Sequence, residues 1–265
     1  MRPTAPGPSA PTGDYTLRVM GEARAIPARP VGIDAGDADA SGYAAVTAAL
    51  RAAYDRSAGE RERAEPAPWK LAERERFRDA LRAPAARTLL EVGAGVGKDA
   101  RYFRAQGLDV TCTDLSPAMV ARCRAKGLRA EVRDVLHLGL PPAAFDAVYT
   151  LNCLLHLPKR DLPAALGAIR AVLRPGGLLY LGLYGGRDEE GVWADDRHEP
   201  RRFFSFHTDA GLRAAVAPLF EVLEQRTVAV GERGASGLHF QALLLRRPPG
   251  AAARPGAPAG AREGA

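Results

Sequence analysis

A short apolar run followed by glycine at every second position most constrains how this chain can fold. The run Leu89-Leu90-Glu91-Val92 leads into Gly93-Ala94-Gly95-Val96-Gly97, and an amphipathic segment follows from Lys98. This order predicts a strand, a tight turn and a helix. Glycine adopts positive φ without strain and lets a ligand approach bare backbone, and the next helix offers unpaired N–H groups. The stretch favours a nucleotide-like ligand, with a plain strand–helix turn as the alternative.

Composition bounds the class of protein. The 265 residues are 46% hydrophobic, which is enough for one sizeable domain or two small ones. The three cysteines are scattered, so neither a disulfide framework nor a metal site is expected. Of the net charge of +6, residues 1–30 carry +2 and residues 246–265 carry +3, which indicates basic tails rather than a basic face. No apolar run suggests a membrane span or a signal peptide, so we expect a cytoplasmic protein.

Two helical patterns precede the glycine stretch. Residues 1–40 are rich in Ala, Pro, Gly and Asp and are predicted to form a mostly irregular arm. Apolar residues at helical spacing predict a helix from Ser41 to about Tyr54, and a charged segment, residues 55–65, leads to a second helix that ends near Leu81. The Pro/Ala/Gly-rich residues 248–265 are predicted to be disordered.

Strands and helices alternate from Arg87 onward. The predicted strands are 89–92, 108–113, 128–133, 145–151 and 178–184, and helices are predicted at 98–106, 117–126 and 158–173. After Tyr184 we expect a long loop over residues 185–202, a helix over 208–216 and a pair of antiparallel strands, 220–230 and 238–246. Such alternation predicts a doubly wound α/β fold whose ligands bind at the carboxyl ends of the parallel strands.

Two acids follow the second and third predicted strands. Asp114 lies 21 residues after Gly93, the spacing expected of a carboxylate that binds ribose hydroxyls. Asp134 is well placed to accept a hydrogen bond from an adenine amino group. A nicotinamide dehydrogenase would require glycine where Lys98 stands, and a phosphate-binding P-loop would require Ser or Thr where Asp99 stands.

These blocks together resemble the class I S-adenosylmethionine-dependent methyltransferases. The resemblance covers about Tyr54 to Arg246. Its matching blocks are the glycine motif 91–97, the ribose block 113–119, the adenine block 133–135, the fourth-strand block 145–152 and the lead into strand five, 173–177. The resemblance implies a mostly parallel seven-stranded sheet with the last strand antiparallel, preceded by N-terminal helices. It also implies S-adenosyl-L-methionine as cofactor and S-adenosyl-L-homocysteine as product.

The resemblance also implies cofactor-binding roles for individual residues. Backbone around Gly93, Ala94 and Gly95 would face the methionyl moiety, and Glu91 would hold its amino acid end. The remaining implied contacts are Asp114 on the ribose, Leu115 and Met119 packed on adenine, Asp134 with the Val135 amide at the adenine edge, and Asn152 near the sulfonium.

Residues outside these blocks are candidates for lids and catalysis. His156 lies just beyond strand four and is predicted to be a general base or a substrate-orienting residue, with a helix cap or wall residue as the alternative. His207, among phenylalanines, is a weaker candidate. We expect residues 41–247 to form the methyltransferase domain, with 41–83 as a helical lid and Tyr54 and Trp69 facing the cofactor. The loop with Trp193 is a candidate second lid.

The methyl acceptor is the least constrained feature. The run Asn152-Cys153-Leu154-Leu155 lacks the Pro-Pro-aromatic pattern of amino-methylating DNA enzymes, and no RNA-binding domain is visible. We therefore predict a small-molecule O, N or C nucleophile, no nucleic acid, no membrane and no metal. The alternatives are a tRNA, rRNA or protein methyltransferase and a non-catalytic cofactor-binding protein.

Overall fold

The fold is built around one seven-stranded sheet in a computed structural model that describes residues 42–83, 85–194, 196–230 and 238–249. Its strands, in chain order, are β1 Thr88–Val92, β2 Asp109–Asp114, β3 Arg129–Val132, β4 Phe145–Leu151, β5 Leu173–Gly185, β8 Glu221–Val228 and β9 His239–Arg246. Their spatial order is β3-β2-β1-β4-β5-β9-β8, and β9 is antiparallel to both of its neighbours. The predicted fold class is confirmed, including the antiparallel last strand.

The helices account for most of the remaining regular structure. They are α1 Tyr43–Arg63, α2 Pro68–Ala80, α3 Lys98–Ala105, α4 Pro117–Ala125, α5 Leu162–Val172 and α6 Asp209–Val216. Two of them begin at a local signal that the sequence carries. The Ser116 hydroxyl accepts a hydrogen bond from Met119 N at 3.1 Å, and Thr208 caps α6 in the same way through Gly211 N.

The central strands are buried on both faces because helices cover both sides of the sheet. Leu89 packs with Phe77 of α2 and Phe103 of α3 on one side, and its neighbour Leu90 packs with α5 residues such as Leu166 on the other. Successive side chains of a strand point to opposite faces, so a continuous apolar run is required here.

The first helix is longer than predicted. The helix was predicted to reach about Tyr54, with a charged segment over residues 55–65, but α1 continues through that segment to Arg63. Glu and Arg are good helix formers, and Arg61 and Arg63 in the last turn complement the negative end of the helix dipole. The predicted helix 158–173 is likewise modified, because a short 3-10 turn, Lys159–Asp161, precedes α5.

The predicted loop 185–202 is only partly a loop. It contains β6 Glu189–Val192, which pairs with β7 Phe203–Phe206 in a separate antiparallel ribbon. All four residues of β7 are buried, so the strand carries no alternation of polar and apolar residues that a sequence pattern would detect. The ribbon packs beside the short 3-10 turn Leu154–His156 that follows β4.

A buried ion pair holds α2 on the sheet. Glu73 of α2 is 3% exposed, pairs with Arg226 of β8 and accepts a hydrogen bond from the Tyr180 hydroxyl of β5 at 3.1 Å. Removing one partner of such a pair would leave a buried charge uncompensated.

Among the described helices, none is both long and apolar enough to cross a membrane. The predicted irregular arm, residues 1–40, and the tail, residues 250–265, lie outside the described residues.

Candidate active site

The glycine turn lies at the carboxyl end of β1. Gly93, Gly95 and Gly97 have φ angles of 72°, 54° and 77°, the left-handed region that L side chains rarely adopt. A Cβ added at Gly93 would lie 2.6 Å from Cys153 Sγ, whereas one added at Gly95 would meet no heavy atom within 4 Å. Gly93 is therefore required by packing, and Gly95 is the position that leaves bare backbone open to a ligand.

Asp114 joins the glycine turn to the end of β2. Its carboxylate accepts hydrogen bonds from Gly95 N at 2.8 Å and from Ser116 N at 2.9 Å, one on each oxygen. Burial nevertheless raises the pKa of Asp114. A carboxylate oxygen can accept two hydrogen bonds, so both oxygens keep capacity for ribose hydroxyls. The residue thus orients the turn and presents acceptors in the same place.

Two buried polar atoms at this edge lack a partner within the described structure. Glu91 is 4% exposed, and its Oε2 has no hydrogen-bond partner. Burial and the nearby Asp99 carboxylate raise the pKa of Glu91 well above its ordinary value. Asn152 Oδ1 is also without a partner, and Asn152 has a φ of 54°. Because unpaired buried polar groups are costly, such atoms are candidates for ligand contacts.

The predicted adenine block lies at the end of β3. Asp134 Oδ1 accepts hydrogen bonds from Leu136 N at 2.9 Å and from the Tyr43 hydroxyl of α1. Val135 is buried beside it, Met119 is buried between Ala58 and Val96, and Leu115 is half-buried. The residues predicted to bind ribose and adenine therefore occupy adjacent strand ends.

Helix α1 crosses this whole edge of the sheet. Besides Tyr43 on Asp134, its Asp55 carboxylate accepts hydrogen bonds from the Ser116 hydroxyl and from Ala118 N, and its Tyr54 hydroxyl lies 2.7 Å from His156 Nε2. These three contacts reach the ends of β3, β2 and β4 in turn. The helix therefore covers the crevice that the strand ends form.

His156 is enclosed rather than open to solvent. It is 3% exposed, its Nδ1 lies 2.8 Å from the Phe203 carbonyl oxygen, and its ring packs on Phe204 with centroids 4.6 Å apart. Burial, reinforced by the Arg202 guanidinium, lowers the pKa of His156 from 6.5 to about 3. A neutral imidazole is therefore the resting form at physiological pH.

Arg202 and Asp196 belong to the same network, and sequence reasoning missed both. Arg202 donates from Nη1 to the Tyr54 oxygen at 3.1 Å and from Nε and Nη2 to Asp196 at 2.8 and 2.9 Å. Although burial acts the other way, hydrogen bonds from His198 and Arg202 hold the pKa of Asp196 far below its ordinary range. No motif marks these residues, because they meet Tyr54 only through the fold.

The other sequence candidates lie elsewhere. Trp69 packs against Phe240 and Tyr184, with ring centroids 4.5 and 6.2 Å apart, at the β5–β9 side of the edge. His207 follows β7, and burial lowers its pKa.

Cys112 and Cys123 are buried beneath the glycine turn. Trp193 packs edge-on against Phe204 and Phe206. In the part of the chain that the structure describes, no group of three or more His, Cys, Asp or Glu side chains could hold a metal ion.

The segment from β1 to β5, which contains the strand ends described above, also matches known proteins. Residues 90–181 match the family model of the methyltransferase domain. The chain is 39% identical over 93 residues to the malonyl-[acyl-carrier protein] O-methyltransferase of Serratia marcescens, covering 34% of this chain and 36% of that one. It is 36% identical over 103 residues to the 27-O-demethylrifamycin SV methyltransferase of Amycolatopsis mediterranei, covering 36% and 37%. The matches thus span little more than a third of these curated relatives.

A solved structure matches over a much greater length. The 1,6-didemethyltoxoflavin-N1-methyltransferase of Burkholderia thailandensis, solved with 1,6-didemethyltoxoflavin and S-adenosylhomocysteine, superposes with a TM-score of 0.62 at 25% identity. The match covers 83% of this chain and 100% of that one. Fold, strand-end residues and family model agree. Residues 90–181 therefore match a methyltransferase domain, and the fold is the predicted one, that of the class I S-adenosylmethionine-dependent methyltransferases.

Proposed function

We propose that this protein transfers a methyl group from S-adenosyl-L-methionine to a small-molecule nucleophile and releases S-adenosyl-L-homocysteine. The proposal rests on one observation: Glu91, Gly95, Asp114 and Asp134 follow one another along three adjacent strand ends beneath α1. Each of them suits one part of that cofactor.

The chemistry of these residues fits the cofactor from end to end. The unpartnered Glu91 oxygen suits an ammonium group, and the bare backbone at Gly95 suits a close-lying methionyl chain. Asp114 would accept from ribose hydroxyls, and Asp134 with the Val135 amide would bind the adenine edge between Leu115 and Met119. Asn152 would contact the sulfonium end. The cofactor itself supplies an electrophilic methyl group, so the protein's part is to position the two reactants.

The domain assignment belongs to the same proposal. We assign residues 41–247 to one methyltransferase domain whose lid is the helical segment 41–83. The contacts of α1 at three strand ends support this role, as does the hydrogen bond from Arg56 of α1 to the Glu199 carbonyl at 2.6 Å. Tyr54 lies on the crevice side of this lid, and Trp69 anchors the start of α2 against the sheet.

A small-molecule acceptor is supported by the relatives. The rifamycin and toxoflavin enzymes are named for small-molecule acceptors, and the Serratia enzyme for a malonyl group on a carrier protein. Helix α1 also covers these strand ends, and enclosure of this kind suits a compact acceptor better than a polymer strand.

Two measurements test the proposal. Titration calorimetry should show binding of S-adenosyl-L-methionine and S-adenosyl-L-homocysteine, and Asp114→Ala should weaken both. Mass spectrometry of a metabolite extract incubated with isotope-labelled S-adenosyl-L-methionine should then show label in small molecules, with a rate insensitive to salt. Label found only in RNA, with the steep salt dependence of phosphate contacts, would instead identify a nucleic-acid acceptor. Binding without transfer to any fraction would indicate a non-catalytic protein.

A further inference from the structure

We propose that Tyr54 is the residue that contacts the methyl acceptor, that His156 acts through it, and that the reacting group of the acceptor is a hydroxyl. This inference rests on the proposed methyltransferase activity and specifies its chemistry. It changes the role predicted for His156 from a base that touches the substrate to a residue one hydrogen bond behind it.

The hydrogen bonds of His156 determine its tautomer. A carbonyl oxygen only accepts, so the 2.8 Å contact with Phe203 O requires the proton on Nδ1. In a neutral imidazole, Nε2 then carries a lone pair. The Tyr54 hydroxyl, 2.7 Å away, must therefore donate its proton to Nε2. The Phe203 carbonyl oxygen thus sets the direction of both hydrogen bonds, from Tyr54 to His156 and from His156 to Phe203.

The Tyr54 oxygen retains one free position. It donates to His156 and accepts from Arg202 Nη1 at 3.1 Å, which leaves a lone pair to accept from a third group. That third group must be a donor. An acceptor molecule that carries an O–H or an N–H meets this requirement, whereas a carboxylate or a thioether does not.

Tyr54 is the accessible member of the network. It is half-buried and packs beside Val96 of the glycine turn and Met119 of α4, whereas His156 and Arg202 are buried behind it. Its ring therefore lies between the residues proposed for the cofactor and the 3-10 turn after β4. A nucleophile bound there would reach Tyr54 before it could reach His156.

Arg202 keeps Tyr54 in place without repelling a neutral acceptor. Its Nε and Nη2 bind Asp196, whose side chain is 4% exposed and also lies 3.1 Å from His198 Nδ1. The guanidinium is therefore compensated by a carboxylate and oriented by a planar two-point contact. A third nitrogen, Nη1, remains to fix the Tyr54 oxygen.

The protons balance for an alcohol or a phenol. As the acceptor oxygen bonds to the methyl carbon, the carbon–sulfur bond breaks and its electron pair remains on sulfur. The acceptor's proton passes to the Tyr54 oxygen, and the Tyr54 proton passes to His156 Nε2. His156 then holds one additional proton, which solvent removes after product release.

The hydrogen-bonded relay from Tyr54 to His156 selects between O–H and N–H acceptors, because it gives the proton of an oxygen nucleophile a place to go. His156 is buried and faces Tyr54 and Arg61 of α1 together with Arg202 and Asp196, and burial lowers its pKa to about 3. An oxygen that has gained a methyl group becomes a strong acid and can protonate so weak a base. A methylated amine is a stable ammonium ion in water, so its methylation does not require proton transfer to Tyr54 and His156.

The first test compares products and variants. A metabolite extract supplemented with alcohols, phenols and amines is incubated with isotope-labelled S-adenosyl-L-methionine, and labelled products are sorted into ethers and methylamines. We expect methyl ethers. Tyr54→Phe keeps the ring and should slow ether formation on the order of 100-fold with unchanged cofactor affinity. The matched control is Tyr102→Phe on α3, where the ring packs under Arg74 and lies outside the site.

The second test reads the hydrogen bonds directly. In ¹⁵N-histidine-labelled protein with cofactor bound, the His156 signal, assigned with His156→Gln, should show an Nδ1-bound proton and no titration from pH 5 to 8. Tyr54→Phe should move its Nε2 resonance. An Nε2-bound proton, a titration near pH 6.5, full ether formation by Tyr54→Phe, or cofactor binding without any methyl ether would each overturn the inference. Absence of cofactor binding would instead overturn the proposed function.

Discussion

The two sides of the crevice are assembled in different ways. The proposed cofactor side, formed by Glu91, Gly95, Asp114 and Asp134, comes from three consecutive strand–helix units, and the bond between Gly95 and Asp114 spans 19 residues. The proposed acceptor side, formed by Tyr54, His156 and Arg202, joins segments 102 and 148 residues from Tyr54. A site formed by adjacent units can be predicted from the sequence, whereas one formed by distant segments can be identified only from the complete fold.

The two sides also differ in electrostatics. Burial raises the pKa of Glu91 and Asp114 on the cofactor side, whereas it lowers the pKa of His156 on the acceptor side. Both shifts have the same cause, because burial disfavours whichever form carries charge. The two sides should therefore respond to acid with opposite signs.

The largest expected effect is acid destabilisation through His156. Between pH 6.5 and about 3 the unfolded chain binds a proton at His156 that the folded chain does not, so the free energy of unfolding falls as the pH falls. The contribution amounts to about 1.4 kcal/mol per pH unit within that window. Urea denaturation from pH 7 to 4 should therefore show a shallower decline for His156→Gln than for wild type. Parallel curves for the two proteins would contradict the assignment.

Glu91 should show the opposite slope. Its folded-state pKa lies above the ordinary 4.5, so the folded chain holds a proton that the unfolded chain has lost, and stability falls as the pH rises above 4.5. Glu91→Gln should remove this decline. The same variant should weaken S-adenosyl-L-methionine binding roughly 10- to 100-fold, since a hydrogen bond to a charged group contributes about 1.5–3 kcal/mol. Calorimetry at pH 7 measures the second effect, and unchanged affinity would exclude Glu91 from the cofactor site.

A pair of glycine substitutions separates packing from access on the cofactor side. Gly93→Ala must accommodate both a positive φ and a contact of 2.6 Å with Cys153, so we expect a loss of about 2–4 kcal/mol in unfolding free energy. Gly95→Ala meets open space and should cost only about 1–2 kcal/mol. Its larger effect should be on cofactor affinity. Thermal denaturation and calorimetry of both variants measure the contrast, and equal stability losses would contradict it.

The smallest effect tests the contact of α1 with the cofactor side. Tyr43→Phe removes the hydroxyl that donates to Asp134 and leaves the ring in its apolar surroundings. Because that hydroxyl occupies one of the acceptor positions proposed for adenine, its loss should change cofactor affinity by less than about tenfold. The rate of methyl transfer at saturating cofactor should stay the same. A large fall in that rate would show that Tyr43 belongs to the acceptor side.

Sequence reasoning succeeded where local chemistry and topology agree. Alternating apolar runs and glycine turns predicted the sheet and its antiparallel end, and the two acids expected at strand ends lie at adjacent strand ends. It failed over residues 55–63, where charged residues form helix, and over β7, where four consecutive buried residues carry no alternation. Arg202 and Asp196 carry no sequence motif, because the network they form reaches Tyr54 of the first helix through Arg202, 148 residues away.

The length of α1 connects its contacts at the two ends of the crevice. Tyr43 and Tyr54 are eleven residues apart, which is three helical turns and about 16 Å, so both lie on the same face of one rigid rod. Tyr43 contacts Asp134, which we propose for adenine, and Tyr54 contacts His156 on the proposed acceptor side. Under this assignment, a shift of the helix on cofactor binding would move Tyr54 as well, and the cofactor would then alter acceptor affinity by the same factor by which the acceptor alters cofactor affinity.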